Sequence, residues 1–183
     1  MIIYGVLRDT LRRYMLLGPY WQLFTYLLTM VFMKVMVIWS KHKQMRVSRC
    51  ILIIILFLYL LTVYTSTVLS RKRILSEEEM LPVFWSWRQA LSGRRYVQYM
   101  LIENIIMLMP IGFFFPFIIN KRYVALQTIL FGAVFSLFIE VSQKVLHVGF
   151  FEVDDLLNNT IGVALGCTIS SVYKSIIRII VDN

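Results

Sequence analysis

Apolar residues fall into five long runs separated by short polar or basic stretches, and runs of this length predict membrane-spanning helices. The first, Tyr20 to Trp39, is bracketed by aromatic residues of the kind that sit at headgroup level, with Lys34 near one end where it can snorkel. The second, Cys50 to Leu69, holds no charge over its whole length. The third, about Ile102 to Ile119, contains Pro110 and Pro116, which remove backbone donors and predict a kink or an irregular end. The fourth, about Val124 to Leu146, stays apolar until Glu140, Gln143 and Lys144, and the fifth, about Val153 to Tyr173, opens with Asp154 and Asp155 before turning apolar and small. The fold class expected is all-α, a polytopic transmembrane helix bundle of about five spans.

In domain terms the pattern reads as a basic amino-terminal segment (1–19), two spans (20–69), an interfacial or extracytoplasmic loop (70–100), a three-span core (101–173) and a basic tail (174–183). The loop opens with Arg71, Lys72 and Arg73, and Ser76 followed by Glu79 has capping-box spacing, which predicts a short helix start. The stretch from Leu81 to Trp87 is apolar and aromatic and precedes Arg88, Arg94 and Arg95. That order suits a segment lying in the membrane interface, with an ordinary connector as the alternative.

Composition strengthens the membrane reading. The 183 residues are 59% hydrophobic and only 16% charged, with mean hydropathy +0.73. This excludes a soluble enzyme, a disordered chain and a secreted disulfide scaffold. A net charge of +9 alone would suggest nucleic acid, but in so apolar a chain the counter-charge expected is anionic membrane lipid, with no nucleic-acid partner. Cys50 and Cys167 sit inside apolar runs without metal-ligand spacing and read as packing residues. The amino terminus, interrupted by Arg8, Asp9, Arg12 and Arg13, lacks the form of a cleaved signal, so the first run is expected to be retained. Basic residues are almost balanced between the two sides. The denser short loops carrying Lys41, Lys43, Arg46 and Arg49, then Lys121 and Arg122, favour an external amino terminus and a cytoplasmic carboxyl terminus.

The candidate chemistry lies in polar residues where lipid would penalise them. Gln143, Lys144 and His147 follow Glu140 at helical spacing and predict one shared polar face. A Glu140–Lys144 pair at the membrane edge is the plainer explanation, and a functional pocket the other. After a turn through Gly149 and Phe151 come Glu152, Asp154, Asp155, Asn158 and Asn159, acids that also suit a helix N-terminus. Asp155, Asn159, Gly162 and Gly166 continue as a polar or small stripe, and the spacing of Gly162 and Gly166 lets helices approach closely. A short connection makes the fourth and fifth spans antiparallel neighbours, so the Glu140 and Asp155 faces are expected to meet in one buried polar site. Glu103 and Asn104, read as the start of the third span, lie at the same surface. The residues lack zinc spacing and EF-hand order, so neither metal nor cofactor is expected. Glu140 and Asp155 are candidates for an acid and base pair on a lipid-linked substrate; ligand binding and helix-packing glue are the alternatives.

Three segments then carry a resemblance: NIIMLMPIGFFFP from Asn104 to Pro116, FIEVSQ from Phe138 to Gln143, and EVDDLLNNTIGVALG from Glu152 to Gly166. In that order and at those separations they are similar to the VanZ-like membrane proteins, and Leu81, Pro82 and Phe84 resemble the short Leu-x-Pro-Phe stretch that precedes them in the family. The likeness runs from Leu81 to Gly166 and leaves the first two spans unassigned. It implies a small bacterial cell-membrane protein that binds or shields a cell-envelope component, such as a lipid-linked cell-wall precursor or a lipoglycopeptide, and lowers susceptibility to teicoplanin-type glycopeptide antibiotics. An intramembrane enzyme working through Glu140 and Asp155 is the alternative. The resemblance carries the family's polar positions onto Asn104, Glu140, Gln143, Asp155 and Asn159, with Pro110, Gly112 and Gly162 as backbone positions. Many members have an arginine shortly before the acidic run, where this chain has His147 to Phe151. If that arginine pairs with the acids, either His147, Arg94 or Arg95 takes its place here or the site differs in charge and in ligand.

Overall fold

A computed structural model describes the backbone of residues 19–43, 46–72, 82–119 and 122–182, with side chains in the first helix described over 25–38. The expected cap at Ser76 and Glu79, and Leu81 of the Leu-x-Pro-Phe stretch, lie outside the described residues. Among those residues there is no strand. The helices are α1 (Pro19–Lys43), α2 (Val47–Tyr64), α3 (Trp85–Leu91), α4 (Arg95–Ile118), α5 (Val124–Val145) and α6 (Val153–Asp182), with a π-helical turn, Thr65–Leu69, extending α2.

The chain forms two compact units, Met1–Ile74 and Leu75–Asn183. In the first, Phe32 of α1 stacks on Phe57 of α2 with ring centroids 3.7 Å apart. A cleft of about 170 Å³ there is lined by Thr25, Tyr26, Thr29, Leu58 and neighbours on the last turns of α2. The hydroxyls of Thr65, Ser66, Thr67 and Ser70 bond back to carbonyls three or four residues earlier. Such back-bonding competes with the α-helical ladder, and the chain widens to a π turn over the same residues.

Four helical stretches are long and apolar enough to cross a membrane: Val47–Leu69, Arg95–Ile118, Val124–Val145 and Val153–Val181. The first predicted run is also helical, but the apolar stretch described there, Thr25–Ile38, is shorter. The second unit is organised for lipid rather than water. On α5 the inward face carries Thr128, Gly132, Ser136, Glu140 and Gln143, while Leu126, Leu130, Val134, Leu137 and Val141 are exposed. In lipid the apolar side chains need no burial, and the polar ones need shelter.

Glycines set the closest helix contact, between α4 and α6. A Cβ at Gly162 would collide with the Ile105 carbonyl oxygen, one at Gly166 with that of Met109, and one at Gly112 with that of Val163. These contacts ascend both helices together, so α4 and α6 run parallel. Gly132 of α5 receives Val163 of α6, a side-chain contact that completes the three-helix core.

Three boundaries differ from the sequence expectation. The helix carrying the third run begins at Arg95, so Glu103 and Asn104 lie in its third turn rather than at its start. It continues unbroken through Pro110 and ends at Ile118, so only Pro116 coincides with a helix end. The last helix continues to Asp182 through positions read as a tail. Lys174 anchors the first turn of that extension: its ammonium donates to the Pro116 carbonyl at 2.7 Å and lies 4.6 Å from the Phe117 ring centroid, tying the end of α4 to α6.

Candidate functional site

The site is built around the first two turns of α6. The preceding helix stops in a Schellman turn: the His147 N–H bonds the Lys144 carbonyl and the Val148 N–H bonds the Gln143 carbonyl, with His147 in left-handed backbone at φ 54°. This corrects the expected polar face. His147 lies past the helix end and is exposed, so it does not continue the Glu140–Gln143 surface. The turn returns the chain so that the Glu152 N–H meets the Glu140 carboxylate at 3.0 Å, satisfying a backbone donor at the start of α6.

Asp154, 1% exposed, faces the aromatic segment. Its carboxylate accepts the N–H of Phe84 at 2.6 Å, the N–H of Ser86 at 2.9 Å and the Ser86 hydroxyl at 2.7 Å. These donors belong to the first turn of α3, so Asp154 caps that helix from another element. Two indoles follow the same direction: Trp85 Nε1 donates to Glu152 at 3.1 Å, and Trp87 Nε1 to Asn158 Oδ1 at 3.0 Å. An indole N–H in a protected place requires an acceptor, and α6 supplies both.

Next to this aromatic roof, Asn104 of α4 donates to Asp155 at 2.5 Å and Asn159 donates to the Ser136 hydroxyl of α5 at 2.8 Å. Gln143, 4% exposed, lies one turn from Glu140, itself 2% exposed. Asn158 and Asn159 are 0% and 1% exposed. Asn158 Nδ2 and Asn159 Oδ1 nevertheless lack hydrogen-bond partners. Buried amide atoms in that condition are uncommon in folded proteins.

Of the sequence candidates, Asn104 and Asp155 are therefore joined directly, Asn159 reaches Ser136, and Glu140 reaches the backbone of Glu152. Gly112, Gly162 and Gly166 form the α4–α6 seam. Glu103, Arg94, Arg95 and His147 are exposed; neither arginine nor the histidine occupies the sheltered position expected for a replacement of the missing arginine. The sequence placed Asp154 and Asn158 in the candidate polar run and Trp85, Ser86 and Trp87 in the aromatic segment over the site without giving any of them a partner, and it did not single out Ser136. A signal was present for some of them: Asp154 and Asn158 are four apart and share a helix face, and Trp85-x-Trp87 carries two donors that need partners.

Among the described residues no group of three or more His, Cys, Asp or Glu side chains is placed to hold a metal ion. The first-unit cleft has none of the site residues in its lining. What remains is a sheltered array of carboxylates and amides under an aromatic helix. Its carboxylates accept hydrogen bonds from protein donors, and one amide donor and one amide acceptor stand open.

Apolar helices long enough to cross a membrane, a glycine seam and a sheltered polar array among the described residues of the second unit are the features of a polytopic helical membrane protein. A family model described as VanZ/LLP1 matches residues 24–174, a range that takes in α2 and nearly all of α1, which the motifs alone left unassigned. The chain belongs to the VanZ/LLP1 family. No curated protein and no solved structure matches it.

Proposed function

We propose that this VanZ/LLP1-family chain binds the polar part of a cell-envelope component at the outer leaflet, with the amino terminus outside and the carboxyl terminus cytoplasmic, and thereby lowers susceptibility to teicoplanin-type glycopeptides. The ligand is a lipid-linked cell-wall precursor or the lipoglycopeptide itself. The observation carrying this reading is the pair of open amide atoms on Asn158 and Asn159 inside an otherwise hydrogen-bonded array. The acids support binding over catalysis, because Glu140, Asp154 and Asp155 each accept hydrogen bonds that fix helices to one another. Most of what those oxygens do is positional.

The test is expression in a glycopeptide-sensitive Gram-positive host, with teicoplanin and vancomycin susceptibility compared between cells carrying the native chain and cells carrying none. Reduced teicoplanin susceptibility is expected. Equal susceptibility in both strains, with the chain present in the membrane fraction, removes the resistance reading.

A further inference from the structure

We infer that the cleft between α1 and α2 is a binding site for the hydroxyl head of a neutral lipid alcohol, such as a diacylglycerol, received by threonine oxygens beside the π turn. The site lies in the first unit and is independent of the function proposed above. Room for an occupant is present. The cleft measures about 170 Å³, and an apolar cavity of about 150 Å³ is enough to hold benzene. Thr25 and Thr65, 2% and 1% exposed, form its floor, while Tyr26, 62% exposed, and Leu58, 41% exposed, stand at its rim. A buried floor under an exposed rim is entered from outside the helix pair. Thr62 and Thr65 fall within Val47–Leu69, a stretch long and apolar enough to span a membrane, so the entrance faces lipid.

The sense of the hydrogen bonds selects the ligand. The Thr29 hydroxyl donates to the Thr25 carbonyl at 2.8 Å, that of Thr62 to the Leu58 carbonyl at 2.8 Å and that of Thr65 to the Thr62 carbonyl at 3.0 Å. A hydroxyl has one proton to give and two lone pairs to offer, so these three side chains have used their donors and keep only acceptors for an occupant. Both helices contribute, Thr29 from α1, and Thr62 and Thr65 from α2 and its π turn. Thr65 opens that π turn, and π turns recur at functional sites.

A ligand that must accept, such as a phosphate or an ester carbonyl, finds no donor on these threonines. No charged side chain is among the described residues lining the cleft. An ammonium or a metal ion would therefore lose its water without gaining a counter-charge. A neutral hydroxyl loses least and gains an acceptor. Leu58 and Leu61 line the same cleft and suit the hydrocarbon attached to that hydroxyl.

The test uses the full chain in phosphatidylcholine nanodiscs and the photoreactive alcohol 3-azioctanol, with adducts mapped by peptide mass spectrometry. Saturable adducts are expected on Tyr26 and within residues 58–65. The competitors share an eight-carbon chain and differ in head: 1-octanol, 1-methoxyoctane, octylammonium and octyl phosphate, with 1,2-dioctanoylglycerol as the lipid. At equal membrane content, octanol and dioctanoylglycerol should displace the label at least fivefold more effectively than the other three. Thr29→Val and Thr62→Val each keep a branched side chain and remove one acceptor. At least one of them should raise the half-saturating azioctanol concentration about fivefold, the weight of one hydrogen bond. Thr168→Val removes a back-bonded hydroxyl from the exposed side of α6 and should leave that concentration unchanged.

The native chain alone separates the head groups, so the result stands if a variant fails to fold. Equal displacement by octanol and its methyl ether overturns the hydroxyl assignment and leaves a plain apolar cleft. Stronger displacement by octylammonium or octyl phosphate overturns the neutral alcohol. Adducts that scatter over the lipid-facing helices without saturating overturn the site. Unchanged labelling in both Thr29→Val and Thr62→Val overturns the role of the threonines.

Discussion

Asp154 and Phe84 lie 70 positions apart in the chain and are joined by a 2.6 Å hydrogen bond from the Phe84 N–H to the Asp154 carboxylate. Phe84 holds left-handed backbone, φ 64°, at the cap of α3, a conformation a bulky side chain rarely adopts. Residues held this way persist where surrounding bonds over-determine them, and Asp154 supplies such bonds to Phe84 and Ser86 together.

Replacing Asp154 with alanine should therefore release α3 and destabilise the second unit by about 3 kcal/mol, since hydrogen bonds to a sheltered carboxylate are worth roughly 1.5–3 kcal/mol each and do not add fully. Asp154→Asn, which keeps one accepting oxygen, should cost about half as much. Ser86→Ala should cost about 1 kcal/mol. Chemical denaturation in detergent measures all three, and an alanine variant as stable as the native chain would show that α3 is held by something else.

His147 is exposed and sits at φ 54° in the turn that ends α5. Glycine has no side-chain penalty there, so His147→Gly should raise stability by roughly 1 kcal/mol and leave the polar array untouched. A higher melting temperature with unchanged antibiotic susceptibility is the expected pair of results. A fall in stability would mean that the imidazole makes a contribution its exposure conceals.

The glycines divide by what a Cβ would strike. At Gly162 and Gly166 it would strike main-chain carbonyls of α4, which cannot be trimmed away, so alanine at either position should force the helices apart at a cost of about 3 kcal/mol or more. At Gly132 the obstacle is the Val163 side chain, 2.5 Å from the added carbon. Gly132→Ala should be rescued in good part by Val163→Ala, whereas no single side-chain truncation should rescue Gly162→Ala. Folded yield of the single and double variants decides it.

Conservative changes at the acids separate binding from catalysis. Glu140→Gln keeps an oxygen for the Glu152 N–H, and Asp155→Asn keeps one for Asn104. Both variants should fold, with losses of about 1 kcal/mol or less, and should retain most of any teicoplanin phenotype. Complete loss of the phenotype at native folded yield would favour the enzyme reading.

Sidedness is tested with single cysteines in a chain whose Cys50 and Cys167 are replaced by alanine. Leu91, 86% exposed at the end of α3, and Val181, 76% exposed near the end of α6, mark opposite ends of the second unit. An impermeant thiol reagent added to intact cells should modify Leu91→Cys and spare Val181→Cys until the membrane is opened. The reverse pattern places the polar array in the cytoplasm and removes its access to envelope ligands.

Much of this architecture is readable along the chain, because membrane helices announce themselves one segment at a time. Uninterrupted apolar length specified α2, and Glu140 with Gln143 marked the sheltered face of α5 by local periodicity alone. The ordered motifs from Leu81 to Gly166 pointed to the family that the match over residues 24–174 establishes. Where the reading slipped, at the start of α4 and the end of α6, polar residues had been taken as helix ends. A helix that projects beyond its apolar stretch keeps its backbone bonded to itself and has no reason to stop there.

Which residue meets which was a tertiary decision. Gly162 and Gly166 advertised a close approach, but only Gly112 and the carbonyls of α4 decided that the partner is α4 rather than the chain neighbour α5. Asp154, which by position suits the N-terminus of its own helix, caps α3 instead because the fold returns a distant segment to it. Periodicity lies within one helix, whereas hydrogen bonding between helices depends on rotation and register that no single segment contains. For the same reason the open atoms of Asn158 and Asn159 became visible only once Trp87 and Ser136 had taken the other half of each amide.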